Sequence, residues 1–378
     1  MGGGKGKKAS APAPLEATVT SSTTKTISTT MPGFAIQARR NGLLKPHESK
    51  PPVNLGDIRE RHMQSRATAS PTESTYEDYI KTVGRTPNEA TMAYEVLGQL
   101  LRRYPNEDYN RAISRAFTGF PKDASFNKGL STLQPDFVEG LGIEQFHSLP
   151  IEDSIDGAIL YKDDFYSITL PHLAGEFKGP GKDMENARLQ SAYDGAALVY
   201  GRNQALNSIE EPPIADLAKI TTFTSDGANL NLFAHYATTS EDGTAKYHQY
   251  PISSTNLTIS HENFREGYRR LRNAQDCARE ESYKLRDQLK EHWEDRKSQP
   301  APLPSIDDED EDDGQDIDRE PISRPAPPMP SRPRHSKALG SQSSHSIEAS
   351  SPSEADIASD RGYRRSRIRR NRRGQAKE

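Results

Sequence analysis

The stretch Leu173-Ala174-Gly175-Glu176-Phe177-Lys178-Gly179-Pro180-Gly181-Lys182-Asp183-Met184, running on into Ala187-Arg188-Leu189-Gln190-Ser191-Ala192-Tyr193-Asp194-Gly195-Ala196, decides how this chain folds. Its first half reads as a strand over 168–178, and Gly179-Pro180-Gly181 stops that strand abruptly. Asp183 then caps a helix predicted to run to about residue 206, with Leu189, Tyr193, Ala196, Ala197 and Tyr200 along one face. Residues two apart in a strand share a face. Glu176 and Lys178 are therefore expected to project together, while Phe177 points into the opposite core.

Upstream of this unit, Thr86-Pro87-Asn88-Glu89 reads as a capping box with proline at the first helical position. Ala93, Val96, Leu97, Leu100 and Leu101 follow at helical spacing until Tyr104-Pro105 ends the run. Short strands are expected over 133–138 and 155–160. Downstream, strands over 220–224 and 229–236 flank Asp226-Gly227, a hairpin signal. A long helix over about 262–297 carries Phe264, Tyr268, Leu271, Ala278, Leu285 and Leu289 every three or four residues. Gln275 and Ser282 dilute its seam, so it is expected to pack on its own domain rather than pair with another chain. The element order predicts an α/β (α+β) domain over 75–297, a mixed sheet flanked by helices with a long C-terminal helix.

The flanks differ in composition. Only 32% of the 378 residues are hydrophobic and the mean hydropathy is -0.87, so the chain cannot fill its whole length with core. The deficit sits at the ends. Residues 1–74 carry Lys5, Lys7 and Lys8, a Ser/Thr run and scattered prolines, and are expected to be a disordered arm. Residues 298–378 are expected to be a disordered tail, acidic over 307–318 and then basic, with nine cationic residues from Arg361 to Lys377 against Glu378. Such a terminus suits nuclear import and non-specific phosphate binding. The overall net charge of -4 hides this asymmetry.

Cys277 is the single cysteine, which excludes an intramolecular disulfide and fits a reducing compartment. No run approaches the roughly 18 apolar residues of a membrane span, and no secretory signal stands at the N-terminus. The expected setting is intracellular, nucleus or cytoplasm, with no membrane partner.

Glu176 and Lys178 bring a carboxylate and an ammonium together at the end of a strand. If Asp136, in Pro135-Asp136, joins from a neighbouring strand, two carboxylates supply the oxygen ligands that Mg²⁺ prefers, leaving positions for water and a phosphate. A metal so placed activates water and stabilises charge on phosphorus, while Lys178 orients the water or a phosphoryl oxygen. Asp156 is the alternative ligand should Pro135-Asp136 make only a turn. Glu89 and Glu95 read as a capping residue and a solvated face. Gly179-Pro180-Gly181-Lys182 fails as a phosphate loop because Asp183 stands where Ser or Thr must meet the metal. His235 and His248 lack partners at ligand spacing and read as structural.

An Asp, then Glu-x-Lys on a strand, then a helix carrying Gln190 and Tyr193, resembles the PD-(D/E)XK nuclease superfamily, whose core is a helix, three strands, a helix and a strand. The resemblance implies metal ligands at Asp136 and Glu176, a catalytic Lys178, a supporting Gln190, Mg²⁺ as cofactor and nucleic acid as substrate. Some members place Gln and Tyr four apart on that helix, whereas Gln190 and Tyr193 are three apart. The stretch from Leu173 to Ala196 more specifically resembles a fungal family known as a domain of unknown function, and the similarity extends through His248-Gln249-Tyr250-Pro251 to Trp293. A nuclease-fold interaction module without catalysis is the competing expectation.

Overall fold

The computed structural model describes residues 1–2, 26–105 and 108–298. Helices α1 (Phe34–Arg40), α2 (Leu55–Met63), α3 (Glu73–Arg85) and α4 (Glu89–Leu100) come first. Strands β1 (Tyr109–Ile113) and β2 (Phe137–Gly142), the single turn α5 (Ile151–Ser154) and β3 (Ile168–Phe177) follow. The chain continues through α6 (Met184–Ser208), β4 (Ile220–Ser225), β5 (Asn229–Thr239), β6 (Ala245–Asn256) and α7 (His261–Ser298). The strands form one mixed sheet of six in the order β1-β2-β3-β4-β5-β6. Every neighbouring pair is antiparallel except β3 and β4, which are parallel. A parallel pair needs a crossover, and α6 supplies it.

All ten residues of β3 are buried, as expected of a central strand covered on both faces. Its alternation divides the core. Leu173 and Phe177 pack with Phe137 and Phe223 beneath residues of α4 and α7 such as Val96, Phe264 and Leu271. Ala174 packs with Val138 and Ile220 beneath Tyr193, Ala196 and Ala197 of α6 and Phe34 of α1. Each fully buried phenylalanine contributes about 1.5–3 kcal/mol relative to exposure. Helix α6 lies so close to β5 that a methyl group at Gly195 would land on the ring of His235. That ring hydrogen-bonds to Thr222 (Nε2 to Oγ1, 2.7 Å), and His248 stacks on Tyr236 with ring centroids 4.4 Å apart.

Helix α7 packs on its own sheet, and its polar residues are part of the reason. Gln275 donates to both carboxylate oxygens of Glu139 (2.9 and 3.1 Å) and accepts from the Arg102 amide (2.9 Å). Ser282 Oγ lies 3.0 Å from His172 Nδ1.

Several sequence expectations are corrected. The N-terminal arm was expected to be disordered through residue 74, yet α1, α2 and the start of α3 fall within that span. These short helices are held by contacts from afar: Phe34 and Ala38 enter the core, Asn54 bonds both ways with Ala218, and Asn273 donates to the carbonyls of His62 and Gln64. The first helix predicted near residue 86 is capped by Asn88, whose side chain accepts from the Thr91 amide (2.9 Å), while Thr86 turns back to the Thr82 carbonyl. The strand expected at 133–138 lies later, as β2. Residues 155–160 form no strand: Gly157 adopts φ 73°, and one bridge from Ile159 to Thr169 is the pairing that remains. Strands β1 and β6 were not anticipated. Residues 3–25 and 299–378, with the Lys5 cluster, the acidic run and the arginine-rich terminus, lie outside the described residues. Among the described residues no helix is long and apolar enough to cross a membrane.

Candidate active site at the end of strand β3

The register of β2 against β3 brings the first two acids together. Phe137 pairs with Gly175, so Asp136, one step earlier, falls opposite Glu176. Asp136 keeps the parity of Val138 and Glu176 that of Ala174, so both point to the α6 side of the sheet. Asp136 Oδ2 accepts the Phe177 amide at 2.7 Å, which pins the carboxylate across the strand end.

Lys178 follows on the same face. Its Nζ donates to the Phe177 carbonyl (2.7 Å) and to Glu89 Oε1 (3.3 Å), and stands 3.8 Å from Glu176 Oε2. Glu89 arrives here because α4 begins against Gly179, where a Cβ would sit 3.1 Å from the Glu89 amide nitrogen. The reading of Glu89 as a mere capping residue is therefore corrected, since Asn88 does the capping and Glu89 pairs with the lysine.

A third acid comes from α6. Asp194 is 3% exposed and Glu176 2%, and their carboxyl groups lie close enough to share a proton. Sequence reading missed Asp194. The signal was present: it stands four residues after Gln190, hence on the same helix face, as a lone acid in a run of small and apolar residues.

Burial, first, and then the neighbouring charges of Asp194 and Asp136 push Glu176 well above the usual carboxylate range, against the pull of Lys178. Asp194 is pushed up to about 7, again chiefly by burial, with the charge of Asp136 adding and its hydrogen bond to Glu176 opposing. Burial also raises Asp136, partly offset by the Phe177 amide and Lys178. A proton carried by Glu176 and donated to Asp194 suits both shifts. Four carboxyl groups, those of Asp136, Glu176 and Asp194 with Glu89 at the edge, thus share one ammonium, and the deficit of positive charge is met by a retained proton or by a cation.

The donor set is all oxygen, which suits Mg²⁺. Among the described residues no group of three or more His, Cys, Asp or Glu is arranged as a ready cage for a metal. Mg²⁺ does not need one, because one or two carboxylates with water and substrate phosphate commonly hold it. Asp136 and Glu176 meet that requirement, and Asp194 Oδ2 is buried without a hydrogen-bond partner among the described residues.

A cavity of about 190 Å³ adjoins the acids, walled by Ser28, Thr29, Gln134, Glu176, Gln190 and Asp194. Gln190 lies in this wall, but its Nε2 donates weakly to Thr29 Oγ1 (3.4 Å) rather than to a carboxylate, and its Oε1 is buried without a partner among the described residues. Tyr193 donates to the Ser131 carbonyl (2.9 Å) and packs edge-on to Phe34. Asp156 is exposed beside Tyr200 and takes no part in the cluster.

Comparisons with curated proteins and with solved structures find no match for this chain. The profile of a family described as a domain of unknown function, DUF7924, matches residues 88–288, which run from the cap of α4 through most of α7 and enclose all the acids named above. On that match the chain belongs to the DUF7924 family, a domain of unknown function.

Proposed function

We propose that this domain cleaves phosphodiester bonds in nucleic acid with the help of a divalent cation. The reading is carried by one observation: Asp136, Glu176 and Lys178 converge at the end of β3 on the face that α6 covers, with Asp194 adding a third buried acid. Asp136 and Glu176 would hold Mg²⁺, which when bound lowers the pKa of a coordinated water and offsets charge on the phosphate. Lys178, fixed by the Phe177 carbonyl and Glu89, keeps its ammonium beside Glu176, where it steadies a phosphoryl oxygen. The proton that Glu176 and Asp194 share would leave to solvent as a cation is taken up, which the raised titration of both acids allows near neutral pH. Gln190 lines the cavity through which the substrate is approached.

The second reading, a nuclease-like frame kept as a binding module, draws on the engagement of Lys178 Nζ with protein acceptors. One experiment separates the two. The full chain is incubated with single- and double-stranded DNA and RNA in Mg²⁺ or Mn²⁺, beside Lys178→Ala and Glu176→Gln. Removing an electrostatic stabiliser of this kind lowers turnover by about 10²–10³-fold. Metal-dependent cleavage lost in both variants supports the hydrolase; equal inactivity of all three proteins supports the module.

A further inference from the structure

Between α2 and α3 the chain runs as a strap along α7, in the direction opposite to the helix. Asn273 donates to the carbonyls of His62 and Gln64, Arg66 reaches Asn273 Oδ1 and Asp276 Oδ2 (both 2.6 Å), and His261 Nε2 donates to the Pro71 carbonyl (2.8 Å). Held at both ends, the strap leaves a cavity of about 340 Å³ against the first turns of α7, lined by Ser70, Arg265 and Arg269 among others. His261, Arg265 and Arg269 follow one another at intervals of four, so they form one row along the helix. The Pro71 contact sets Ser70 at the head of that row.

The charges in this cavity do not cancel. Of the two acids in its lining, Glu266 pairs with Arg270 at 2.5 Å, whereas Glu262 makes no ion pair among the described residues. Glu73 is taken by His261 (2.9 Å), and Arg66 by Asp276. Arg265, which is exposed, and Arg269 have no ion-pair partner among the described residues. The Arg269 guanidinium faces a thioether instead: its Nη2 stands 4.0 Å from Met63 Sδ, and its Nε is buried without a hydrogen-bond partner among the described residues. Thioether sulfur is a weak acceptor, and a buried donor left unmet is costly. Two arginines against one glutamate call for an anion that brings oxygen acceptors.

Ser70 is placed to carry that anion. It is exposed, its Oγ makes no hydrogen bond among the described residues, and Pro71 after it biases its backbone to the extended form in which kinases take their substrates. The hydroxyls on either side are engaged, Thr68 with Arg66 and Thr72 as the cap of α3, and neither residue precedes a proline. We infer that Ser70 is a phosphorylation site for a proline-directed protein kinase, and that its phosphate is held by Arg265 and Arg269. In that step Ser70 Oγ bonds to the γ-phosphorus of ATP, the bond from phosphorus to the β,γ-bridging oxygen breaks, ADP leaves, and the hydroxyl proton passes to a base of the kinase. A phosphoserine carries about -1.5 to -2 charges and three acceptor oxygens. Facing an arginine pair, it makes charge-assisted hydrogen bonds that tie the strap to α7. The site is separate from the acids at the end of β3.

The test has two parts. Full-length wild type and Ser70→Ala are treated with ATP and a proline-directed kinase chosen for its activity on the isolated peptide 63–77, and the modified residues are mapped by mass spectrometry. Phosphate on Ser70 of the folded wild-type chain is expected. Phosphoserine is then installed at position 70 alone, by suppression of a stop codon, and its phosphorus resonance is followed against pH. Opposite charge favours the dianion, so its second acid dissociation constant is expected to be at least about threefold larger in the folded chain than in urea. Arg265→Gln and Arg269→Gln are each expected to reduce that ratio, and the double variant to abolish it. A folded chain left unmodified at Ser70 while the peptide is phosphorylated overturns the inference. So does a phosphate that titrates alike in the folded chain and in urea, or one indifferent to both arginines. Inorganic phosphate added to the unmodified protein separates a free anion from a tethered one. Binding of the free ion that depends on Arg269, beside a phosphoserine that does not, assigns the cavity to the free ion and removes the role of Ser70.

Discussion

Replacing Asp194 by asparagine removes one of the three buried acids while keeping its shape, and the structure sets the size of the effect. A carboxyl raised from 3.8 to about 7 in the folded chain binds its proton more tightly than in the unfolded chain. The native state therefore holds more protons than the unfolded state between those values, and the slope of unfolding free energy with pH is negative there. The contribution of Asp194 is intact below pH 4 and is lost as pH rises through about 7. Integrated between pH 5 and pH 8, the loss is about 3 kcal/mol. For a domain of this size that corresponds to a melting temperature lower by about 6–12 °C. Glu176, raised in the same direction, adds to the fall in both proteins.

Asp194→Asn is expected to be the more stable of the two at both pH values, by a margin about 3 kcal/mol wider at pH 8 than at pH 5. Urea unfolding at the two pH values, without metal, measures this. Adding Mg²⁺ or Mn²⁺ at pH 8 is expected to restore much of the wild-type loss, because a ligand that binds only the folded, ionised site stabilises it by mass action. Parallel pH dependences for wild type and Asp194→Asn would refute the reasoning, since the buried acid would then not be retaining its proton.

Three further changes test the frame around the site. Gly195→Ala drives a methyl group into the ring of His235 and is expected to cost about 1–3 kcal/mol, measured by urea unfolding. Arg111→Ala leaves Glu139, 1% exposed and paired with Arg111 at 3.0 Å, without its cation; destabilisation of about 3–5 kcal/mol at pH 7, smaller at pH 4, is the expected result in the same assay. Asn88→Ala removes the cap of α4 and is expected to cost about 1 kcal/mol by thermal denaturation, with weaker metal uptake if Glu89 and Lys178 lose their register.

The parts of the fold that were legible in the sequence are those whose signal is local. Strand β3, its glycine stop, the Asp183 cap of α6, the hairpin at Asp226-Gly227 and the long α7 each announce themselves through pattern and punctuation within a few residues. Helices α1 and α2 did not, because their stability comes from contacts with partners far along the chain, such as Asn54 with Ala218 and Asn273 with His62. Strand β6 was obscured by Pro251, which sits at the sheet edge beside a register shift between Leu232 and Phe233, a place where proline is tolerated. The Glu176-Phe177-Lys178 triplet could be read because strand alternation alone puts its ends on one face, whereas the approach of Asp136 depended on the register of an antiparallel pair joined by a long excursion. Asp194 was less legible because the helical repeat that aligns it with Gln190 gives only a shared face, and its meeting with Glu176 depends on how α6 docks against β3.

The claim on which the functional account turns is that the buried acids at the end of β3 exchange protons for a divalent cation. Isothermal titration of Mn²⁺ into the full chain at pH 8, in two buffers of different ionisation enthalpy, measures uptake and proton release together. One ion bound by wild type with protons released, and no uptake by Glu176→Gln, is the expected outcome. Wild-type protein that takes up no ion, or a Glu176→Gln variant that binds it equally well, would contradict the account.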